Sequence, residues 1–279
     1  MEDLRKRVVW VRANELFDNP VIFSEDINAD DINQTNIGSC YLLASLSALT
    51  EFPHLIKNLF GDDSQVTNDK GVYTVFFYIG GRRTPIMIDD WIPTLDGQPL
   101  STVTSENELW AILVEKAWAK LHGSYQRMEG GLPSNALFML TGKPSWRHIH
   151  SYTADLWSKI LHAEKSGFIM VCGTEGQGES EIENSGIAAG HAYSLLAAHE
   201  FMHRGTQVRL VKLRNPWGSH EWNGAWSDSD DVNWTPELRK KYGCNAEDDG
   251  IFFMSILDYT RFFNLTAVCS VHSPDETTS

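Results

Sequence analysis

Long hydrophobic runs are missing from this 279-residue sequence. The longest apolar stretches, such as Val72–Ile79, fall far below the roughly 20 residues that a membrane-spanning helix needs. The opening residues, MEDLRKRVVWVRANEL, contain no apolar core of the kind found in a signal peptide. We therefore expect a protein that has no membrane span and is located in the cytoplasm.

Paired cysteines and an excess of basic charge are also missing. The four cysteines include no C-x-x-C pair, which argues against a disulfide framework and against a zinc ribbon. Lys and Arg number 23 against 37 Asp and Glu, so the formal net charge is -14. This balance disfavours nucleic acid as a partner, because nucleic-acid binding needs a basic surface. It is compatible with cation binding, and it also keeps a cytosolic protein soluble.

Apolar residues make up 42% of the sequence, which is enough for a large core. Cys40–Leu49 has apolar residues on consecutive turns and predicts a buried helix. Val72–Ile79 and residues 85–92 are rich in β-forming residues, and the Gly80-Gly81 pair between them predicts a hairpin. Residues 106–121 carry apolar side chains on one 3.6-period face and predict a second helix.

The helix predicted over residues 106–121 begins with a capping-box pattern, in which Ser105 is the N-cap and Glu108 the third helical residue. The pattern changes after Gly142, where one amphipathic helix is followed mainly by strands. That helix covers residues 154–165, and the strands cover residues 168–172, 192–198, 208–213, 251–254 and 267–272. The order predicts an α+β fold. Its parts are a helix-rich first part (1–141), a β-rich second part (142–272) and a polar tail (273–279).

The segment HEFMH, from His199 to His203, matches the H-E-x-x-H motif of zinc metalloproteases. That motif works on a helix, where positions i and i+4 share a face and can bind one zinc ion. Here a predicted strand precedes the segment and Gly205 follows it. We therefore expect HEFMH in the turn of a hairpin, and zinc catalysis through His199 and His203 is a remote alternative.

Cys40 is the cysteine best placed for nucleophilic chemistry. A helix N-terminus favours a thiolate through its N–H groups and its dipole, and Cys40 begins the first predicted helix. Gly38 leaves room for a substrate backbone, and the amide of Gln34 is a candidate oxyanion donor. A lone helical cysteine is more often a core residue, so this position does not establish catalysis by itself.

A cysteine nucleophile needs a base, and the base needs a group that orients it. His191 lies between a loop and a predicted strand, and Asn215 follows the next strand. Neighbouring antiparallel strands would bring their side chains together, and a neutral Asn suits a thiolate–imidazolium pair. Trp217 could cover the His–Asn hydrogen bond. A lone His beside Gly is usually structural, but the ordered set Gln34, Cys40, His191 and Asn215 is much less expected by chance.

These residues stand in blocks that resemble the protease core of the calpain family, the papain-like cysteine endopeptidases of the cytosol. The family's Q-x-x-x-G-x-C-W-L-L-A block appears here with Gln34, Gly38 and Cys40 in place. Its G-H-A-Y-S block is unchanged at residues 190–194. Its R-x-R-N-P-W-G-x-x-E-W-x-G-x-W-S-D block is nearly intact at residues 212–228. The similarity extends over essentially the whole chain.

The resemblance implies a two-lobed papain-like fold with the active-site cleft between a helix-rich and a β-rich lobe. It implies a calcium-dependent endopeptidase that performs limited proteolysis of protein substrates, with Cys40, His191 and Asn215 as its triad. Gln34 would support the oxyanion, and Trp217 would shield the His–Asn pair. Because the family usually carries further domains, the chain is expected to be part of a longer protein.

The resemblance also implies two calcium sites, one in each lobe. The residues that match the first site are Asp31 and Glu108, with carbonyls of residues 24–26 completing the shell. The alternative is that Glu108 serves only the capping box. The residues that match the second site are Glu221, Asp228 and Asp249, with a backbone oxygen from Glu247. Ile251 stands where the family has a carboxylate, which predicts weaker calcium binding there.

Two departures from the family lie beside the nucleophile. The usual Asp before the cysteine is Ser39, and the usual Trp after it is Tyr41. Gly-Ser-Cys followed by an aromatic residue is the papain-type arrangement, so we expect activity to survive. Together with Ile251, these departures leave open a calpain-fold regulatory or scaffold protein with little activity. Acyl transfer of the transglutaminase type is a third possibility, which Asn215 in place of Asp disfavours.

Overall fold

A computed structural model describes residues 7–24, 27–29, 32–104, 107–176, 178 and 180–271. The chain divides into two compact units. The first consists of the described residues up to Leu132 together with Ala136–Gly142, and the second of Pro133–Asn135 together with the described residues from Lys143 onward. Both units combine helices with antiparallel sheets, so the fold class is α+β, as predicted. The predicted polar tail, residues 273–279, lies outside the described residues.

Short strands and helices alternate in the first unit. Its strands are β1 (Val9–Arg12), β2 (Asn33–Gln34), β3 (Val72–Ile79), β4 (Arg82–Asp89), β5 (Trp91–Leu95), β6 (Gln98–Pro99) and β7 (Thr102–Val103). They form three small antiparallel sheets, β1–β5–β6, β2–β7 and β3–β4. The helices are α1 (Ala13–Leu16), α2 (Cys40–Leu49), α3 (Pro53–Lys57), α4 (Trp110–His122) and α5 (Pro133–Thr141), and 3-10 turns cover Asp62–Ser64 and Gln126–Met128. The first three residues of α5 belong to the second unit.

Helix α2 is confirmed with the predicted bounds. All ten of its residues are buried, and it contains no charged residue, glycine or proline. A helix that is apolar on every side is stable only inside a core, where its surface is removed from water. The sequence therefore places the start of α2, and with it Cys40, in the interior of the first unit.

Helix α4 begins later than predicted. It starts at Trp110 with Leu109 as N-cap and without a side-chain cap, so the capping-box prediction is wrong. Glu108 precedes the helix, and the residue predicted as the N-cap lies outside the described residues. The reason is tertiary, because the N–H groups of Leu109 and Trp110 donate to the carbonyls of Val21 and Ile22 at 2.9 and 3.1 Å. These backbone bonds satisfy the start of the helix in place of a side chain.

The β3–β4 hairpin turns at Gly80-Gly81, as predicted. Both glycines have positive φ (57° and 77°), which a two-residue hairpin turn of type I′ requires. The predicted limits of the second strand are wrong, since β4 already pairs from Arg82. Strand β4 ends before Asp90, and β5 begins at Trp91. Asp90 lies between the two strands, and its N–H donates to the Gly71 carbonyl at 2.9 Å.

The second unit is built on a six-stranded antiparallel sheet. Its strands are β8 (Ser145–Ile149), β9 (Ile169–Thr174), β10 (Ala192–His203), β11 (Thr206–Arg214), β12 (Ile251–Ser255) and β13 (Phe263–Cys269), in the order β12–β11–β10–β9–β13–β8. Its helices are α6 (Leu156–Lys165), α7 (Pro236–Tyr242) and α8 (Ile256–Phe262), and a 3-10 turn covers His150–Tyr152. The five predicted strands are present with shifted ends, and β8 is additional. Across the described parts of both units, every helix is too short or too polar to cross a membrane.

The β10–β11 hairpin is longer than predicted and changes the position of HEFMH. Strand β10 continues to His203, which pairs with Thr206. The turn consists of Arg204 and Gly205, with φ values of 48° and 79°. The prediction that the segment forms the turn is therefore wrong, because backbone pairing with β11 extends the strand through both of its histidines.

A hydrophobic core packs between this sheet and α6. Asp155 caps the helix, since its side chain accepts from the Ser158 N–H at 3.3 Å. Trp157 and Ile160 of α6 are buried in the cluster that the sheet residues complete. That cluster includes Met170, Cys172, Tyr193, Leu195, Val211, Leu213, Phe252 and Met254. The shared core keeps β9, β10, β11 and β12 in one layer, and the candidate site lies at one end of it.

Candidate active site

Cys40 is the first residue of α2 in the first unit, and only 8% of it is exposed. Ser39 is the N-cap, and its carbonyl accepts from the N–H groups of Leu42 and Leu43 at 2.8 and 3.0 Å. The positive end of the helix dipole therefore lies at Cys40, where it favours an anion. This is a setting in which a cysteine can react as a thiolate.

Gln34 lies at the end of β2 in the same unit and is 7% exposed. Strand β2 pairs with β7, so that Gln34 lies opposite Thr102. Its Nε2 donates to the carbonyl of Ile37 at 2.9 Å, within the loop that leads to Cys40. One N–H of the side-chain amide is thus bonded to the loop that precedes Cys40, and the role of Gln34 as an oxyanion donor stays a prediction.

His191 and Asn215 are brought together at one end of the sheet in the second unit. His191 directly precedes β10, Asn215 directly follows β11, and Ser194 pairs with Arg214 in the ladder between them. The Nε2 atom of His191 lies 2.9 Å from Oδ1 of Asn215, and both residues are buried. Because an amide oxygen only accepts, Nε2 carries the hydrogen and donates it. The nitrogen suited to accept a proton from a thiol is then Nδ1.

Aromatic rings enclose the imidazole of His191. The Trp217 ring lies at a centroid distance of 4.4 Å and the Tyr193 ring at 4.9 Å, the latter edge to face. The backbone N–H of Trp217 also donates to Oδ1 of Asn215 at 3.1 Å. Trp217 therefore contacts both members of the pair, and its role in shielding their hydrogen bond stays a prediction.

The backbone at His191 is held by its neighbours. Its N–H donates to Oγ1 of Thr174 at 3.0 Å, and its carbonyl accepts from the Thr174 N–H at 2.9 Å. Gly190 has a φ of 59°, and a Cβ there would lie 2.9 Å from the carbonyl oxygen of Gly176. A glycine is therefore required immediately before the histidine. The sequence did not predict this role of Thr174, because no motif contains it.

The remaining cysteines have surroundings that oppose a thiolate. Burial strongly raises the pKa of Cys172, whose Sγ donates to the Tyr193 carbonyl at 3.6 Å. Burial, together with the charge of Asp228, raises the pKa of Cys244 to about 12. Cys269 is completely buried in β13. None of these three begins a helix, which leaves Cys40 as the nucleophile candidate among the cysteines.

His199 and His203 do not form a metal site. In a strand, positions i and i+4 are separated by about 13 Å, which is too far for one ion. His199 packs against the Tyr242 ring at 4.7 Å, and His203 against the Trp226 ring at 5.7 Å. Burial, with the charges of Lys212 and Lys241, lowers the pKa of His199. The remote zinc alternative loses its structural basis.

Three of the residues that match the second calcium site influence one another electrostatically. Burial, with the charges of Asp228, Asp249 and Asp248, raises the pKa of Glu221 to about 7. Burial, with the charge of Asp249, raises the pKa of Asp228 to about 6. Oδ2 of Asp228 is buried without a hydrogen-bond partner among the described residues. Such an uncompensated acceptor in an acidic group is a suitable position for a hard cation.

Glu221, Asp249 and Glu247 already accept hydrogen bonds from neighbouring groups. Glu221 accepts from the Gly250 N–H at 2.8 Å, and Asp249 accepts from the Ile251 N–H at 2.8 Å. Glu247 accepts from Nδ2 of Asn245 at 3.2 Å. Across the described residues, no three His, Cys, Asp or Glu side chains already form a metal site. A cation here would therefore require the carboxylates to change partners.

Glu108 of the predicted first calcium site is completely buried. Its carboxylate accepts from the Ser24 N–H and, at 3.1 Å, from Nε1 of Trp110. Asp31, the other residue of that prediction, lies outside the described residues, as do residues 25 and 26. Glu108 thus joins residues 21–24 to the start of α4. The first calcium site stays a prediction, because its other residues lie outside the described part of the chain.

Comparison with known proteins shows the family of the chain. The model of the calpain family cysteine proteases matches residues 1–270. The chain is 38% identical over 274 residues to the calpain-type cysteine protease DEK1 of Arabidopsis thaliana, covering 94% of this chain and 12% of that protein. It is 36% identical over 278 residues to Calpain-12 of Homo sapiens, covering 97% and 38%. It is 32% identical over 275 residues to the Calpain-1 catalytic subunit of Sus scrofa, covering 96% and 38%.

By class the chain is a cysteine peptidase. It belongs to the calpain family of cysteine proteases, which confirms the resemblance found in the sequence. The chain spans between 12% and 38% of the length of these three relatives. The relatives are therefore much longer than the part that corresponds to this chain.

Proposed function

We propose that the chain is the catalytic core of a calcium-dependent cysteine endopeptidase that performs limited proteolysis of protein substrates in the cytoplasm. Cys40 is the nucleophile, His191 the general base and acid, and Asn215 the residue that orients His191. The family resemblance implies a two-lobed papain-like arrangement in which these residues meet in a cleft. Further domains in a longer parent chain would act on this core.

The observation that carries the proposal is the buried hydrogen bond between His191 and Asn215. A bond of 2.9 Å from Nε2 to Oδ1 fixes the imidazole in one tautomer and leaves proton exchange to Nδ1. A neutral amide orients the ring without adding negative charge, which suits an imidazolium that balances a thiolate. A histidine that served only packing would not need a fully buried amide aligned with it in this way.

The reaction follows from these roles. Nδ1 of His191 takes the thiol proton of Cys40, and the Sγ thiolate attacks the carbonyl carbon of the scissile peptide. The Gln34 amide and the Cys40 backbone N–H donate to the oxyanion that forms. When the C–N bond breaks, Nδ1 returns the proton to the leaving amine. His191 then deprotonates water, which attacks the thioester and releases the acid product and the Cys40 thiol.

The acidic group of the second unit supports calcium binding by Glu221, Asp228 and Asp249, with a backbone oxygen of Glu247. The unpartnered, buried Oδ2 of Asp228 is the observation in favour. In the first unit the buried Glu108 would act together with Asp31. Bound calcium would supply positive charge that neutralises these carboxylates and so favours their close approach. Ile251 contributes no oxygen where the family has a carboxylate, so the second site is the weaker one.

A regulatory protein with a calpain fold and little activity is the alternative, and Ile251 is the observation that favours it. Titration with a thiol-reactive peptide electrophile, with and without calcium, separates the two functions. The enzyme is expected to label at Cys40 alone, faster with calcium, and to cleave a protein substrate that the Cys40→Ala variant leaves intact. Absence of cleavage in calcium by a correctly folded protein would establish the regulatory alternative. Cleavage by pure Cys40→Ala protein would place the chemistry at another residue.

A further inference from the structure

Glu115 is a fully buried carboxylate in the first unit for which the proposed reaction has no use. It lies in the middle of α4, on a stretch that is otherwise almost entirely apolar, from Trp110 to Ala119. Burial raises the pKa of Glu115, against the hydrogen bonds that it accepts. A buried carboxylate destabilises a fold unless hydrogen bonds or an opposite charge compensate its loss of hydration. The contacts of Glu115 therefore show what its burial achieves. A charged residue inside an apolar helical stretch was the signal that could have marked it in the sequence.

Three hydroxyl groups donate to Glu115, and they come from two segments that carry the reaction. Ser39 donates to Oε1 at 2.8 Å, and Ser101 donates to the same oxygen at 2.5 Å. Thr102 donates to Oε2 at 2.8 Å. Ser39 immediately precedes Cys40, whereas Thr102 lies opposite Gln34 in the β2–β7 ladder. Oε1 is thus linked to both the nucleophile segment and the oxyanion segment, and Oε2 is linked to the oxyanion segment.

The Ser39 hydroxyl binds Glu115 in place of the contact that is usual for a serine at a helix N-cap. Serine at an N-cap normally turns its hydroxyl back to the free N–H groups of its own helix. Ser39 is the N-cap of α2 and makes no side-chain cap bond. It donates to Glu115 instead. An ionised Asp, the usual family residue here, has no hydrogen to donate, so Ser39 matches a carboxylate partner in this chain.

The strand that carries Gln34 is hydrogen-bonded to the segment that contains Ser101 and Thr102. Thr35, next to Gln34, donates its backbone N–H to the Ser101 carbonyl at 2.7 Å, and its hydroxyl lies 3.0 Å from the same oxygen. Ser101 and Thr102 in turn donate to Glu115. The strand that carries Gln34 is therefore joined through two hydroxyls to the carboxylate that Ser39 also contacts.

We infer that Glu115 is a positioning residue that sets the spacing between the nucleophile Cys40 and the oxyanion donor Gln34. Its carboxylate binds Ser39 on the nucleophile side and both Ser101 and Thr102 on the oxyanion side. The inference rests on the proposed function, because it gives Cys40 and Gln34 their roles. Glu115 touches no reacting atom. Its effect is geometric, since a misplacement of a catalytic group by about 1 Å can cost on the order of 10²-fold in rate.

The test removes each link without removing Glu115. Ser39→Ala deletes the hydroxyl of the nucleophile segment. On the oxyanion side Ser101→Ala and Thr102→Val are made together as one link variant, because both hydroxyls donate to Glu115, and valine keeps the branched shape of threonine. Ser45→Ala and Thr141→Val are the matched controls, because these buried hydroxyls donate to the backbone of their own helices at 2.7 Å. All variants are compared in excess calcium by kcat and KM on a fluorogenic peptide, by the rate of Cys40 labelling with a peptidyl electrophile, and by thermal unfolding.

Each link variant is expected to lose about tenfold or more in kcat with KM changed less than about twofold, because transition-state alignment is lost rather than substrate binding. Both controls should stay within about twofold of the parent in kcat. Adding Glu115→Leu to either link variant should cost less than the product of the single losses, since the residues act as one unit. Glu115→Gln, which keeps an accepting oxygen, should recover most of the activity that Glu115→Leu loses.

Several outcomes would overturn the inference. It fails if the link variants behave like the controls in kcat, or if all variants lose thermal stability alike without a selective fall in kcat. It also fails if a folded Glu115→Leu protein keeps the kcat of the parent. If the parent labels at Cys40 but cleaves nothing, the proposed function fails and the labelling rates of the variants still decide the positioning role. A parent that neither cleaves nor labels overturns both.

Discussion

The amide of Asn215 is oriented by three contacts that agree with one another. Its Oδ1 accepts from His191 and from the Trp217 N–H, and its Nδ2 donates to the His220 carbonyl at 3.0 Å. A flipped amide would turn Nδ2 toward two donors and Oδ1 toward an acceptor, so only one assignment satisfies all three. Asn215 is therefore fixed in the orientation that accepts from His191, and the consequence of replacing it can be predicted.

Asn215→Ala is expected to lower kcat by about tenfold to a hundredfold while KM changes little, because the imidazole loses its orientation and not a substrate contact. Steady-state kinetics on a peptide substrate measure both constants. Asn223→Ala is the matched control, since Asn223 donates to the Asn184 carbonyl in an exposed loop. A change in kcat smaller than threefold would remove Asn215 from the mechanism.

Tyr41 is the second residue whose replacement gives a defined expectation. Its hydroxyl donates to the Met128 carbonyl at 2.9 Å and accepts from Nε1 of Trp118 at 2.9 Å. A Cβ at Gly131 would lie 2.5 Å from its ring, so the ring also packs against residues that follow Met128. Tyr41, which stands where the family usually has Trp, therefore makes two buried polar contacts through its hydroxyl.

Tyr41→Phe is expected to lower the free energy of unfolding by about 1–3 kcal/mol, because the Trp118 indole N–H and the Met128 carbonyl remain buried without that partner. Urea unfolding followed by tryptophan fluorescence measures the change. Tyr152→Phe is the control, because Tyr152 is 89% exposed. Equal unfolding midpoints for the two variants would contradict a stabilising role of the Tyr41 hydroxyl.

At the scale of elements, the long strands β10 and β11 decide the chemistry of several histidines. Because side chains alternate along a strand, His199 and His203 share a face but are separated by three intervening pairs. The same hairpin, at its other end, brings His191 beside Asn215. One hairpin therefore keeps His199 and His203 too far apart for one metal ion and, at its other end, joins His191 to Asn215 by a hydrogen bond.

His203→Ala is accordingly expected to leave kcat/KM within about twofold of the parent, the range typical of a substitution away from a site. A zinc-selective chelator used in excess calcium should not inhibit. Peptide cleavage assays with and without the chelator test both expectations. A large loss of activity in either experiment would restore the zinc alternative, which no strand geometry supports.

His150, in the turn after β8, gives an expectation for pH. Burial, with a contribution from His148, lowers its pKa to about 4 from 6.5. Nδ1 lies 2.7 Å from the Phe263 carbonyl and Nε2 lies 2.9 Å from Oγ1 of Thr266. The folded state therefore prefers the neutral ring, which ties the edge strand β8 to β13. Stability from this residue is complete above pH 6.5 and declines as the pH falls toward 4.

His150→Gln should reduce the loss of stability between pH 7 and pH 4.5 relative to the parent, by no more than about 3 kcal/mol of unfolding free energy. Urea unfolding at several pH values measures it, and other acid-sensitive groups cancel in the difference between the two proteins. His54→Gln, at an exposed position, is the control. A parent and a His150→Gln variant with parallel pH profiles would contradict this account.

At the scale of the whole molecule, residues that match the family's calcium positions occur in both units. Glu108 matches its family position and is completely buried, whereas Ile251 replaces a carboxylate beside Asp249. Ligand binding can shift a conformational equilibrium only by preferring one state. Under the proposed calcium dependence, the first site, whose two matching carboxylates are both present in the sequence, should therefore contribute more to activation by calcium.

Glu108→Gln is expected to raise the calcium concentration for half-maximal activity well above the shift caused by Asp228→Asn. Calcium titrations of activity and of heat release, on both variants and the parent, decide the comparison. Equal shifts would contradict the stronger role of the first site. Calcium-independent activity of the parent would remove the calcium dependence and leave the protease assignment.

The sequence alone determined the parts of the protein that depend on local pattern. Helix α2 was predicted with its true bounds because ten consecutive residues without glycine, proline or charge have no stable place except a buried helix. The Gly80-Gly81 turn was predicted because few other residues adopt its dihedral angles. The blocks around Cys40, His191 and Asn215 identified the family because their residue types and order are specific.

Only the tertiary structure decided the features that depend on residues far apart in the chain. Helix α4 starts at Trp110 because residues 21 and 22 accept its first backbone hydrogen bonds, and β10 extends through His203 because β11 pairs with it. Glu115 is tied to Ser39, Ser101 and Thr102 by contacts that span as many as 76 residues. Patterns within a window of sequence record the preferences of a segment. They do not record which distant donor or strand will meet it, and that meeting fixes helix starts, strand ends and the partners of buried charges.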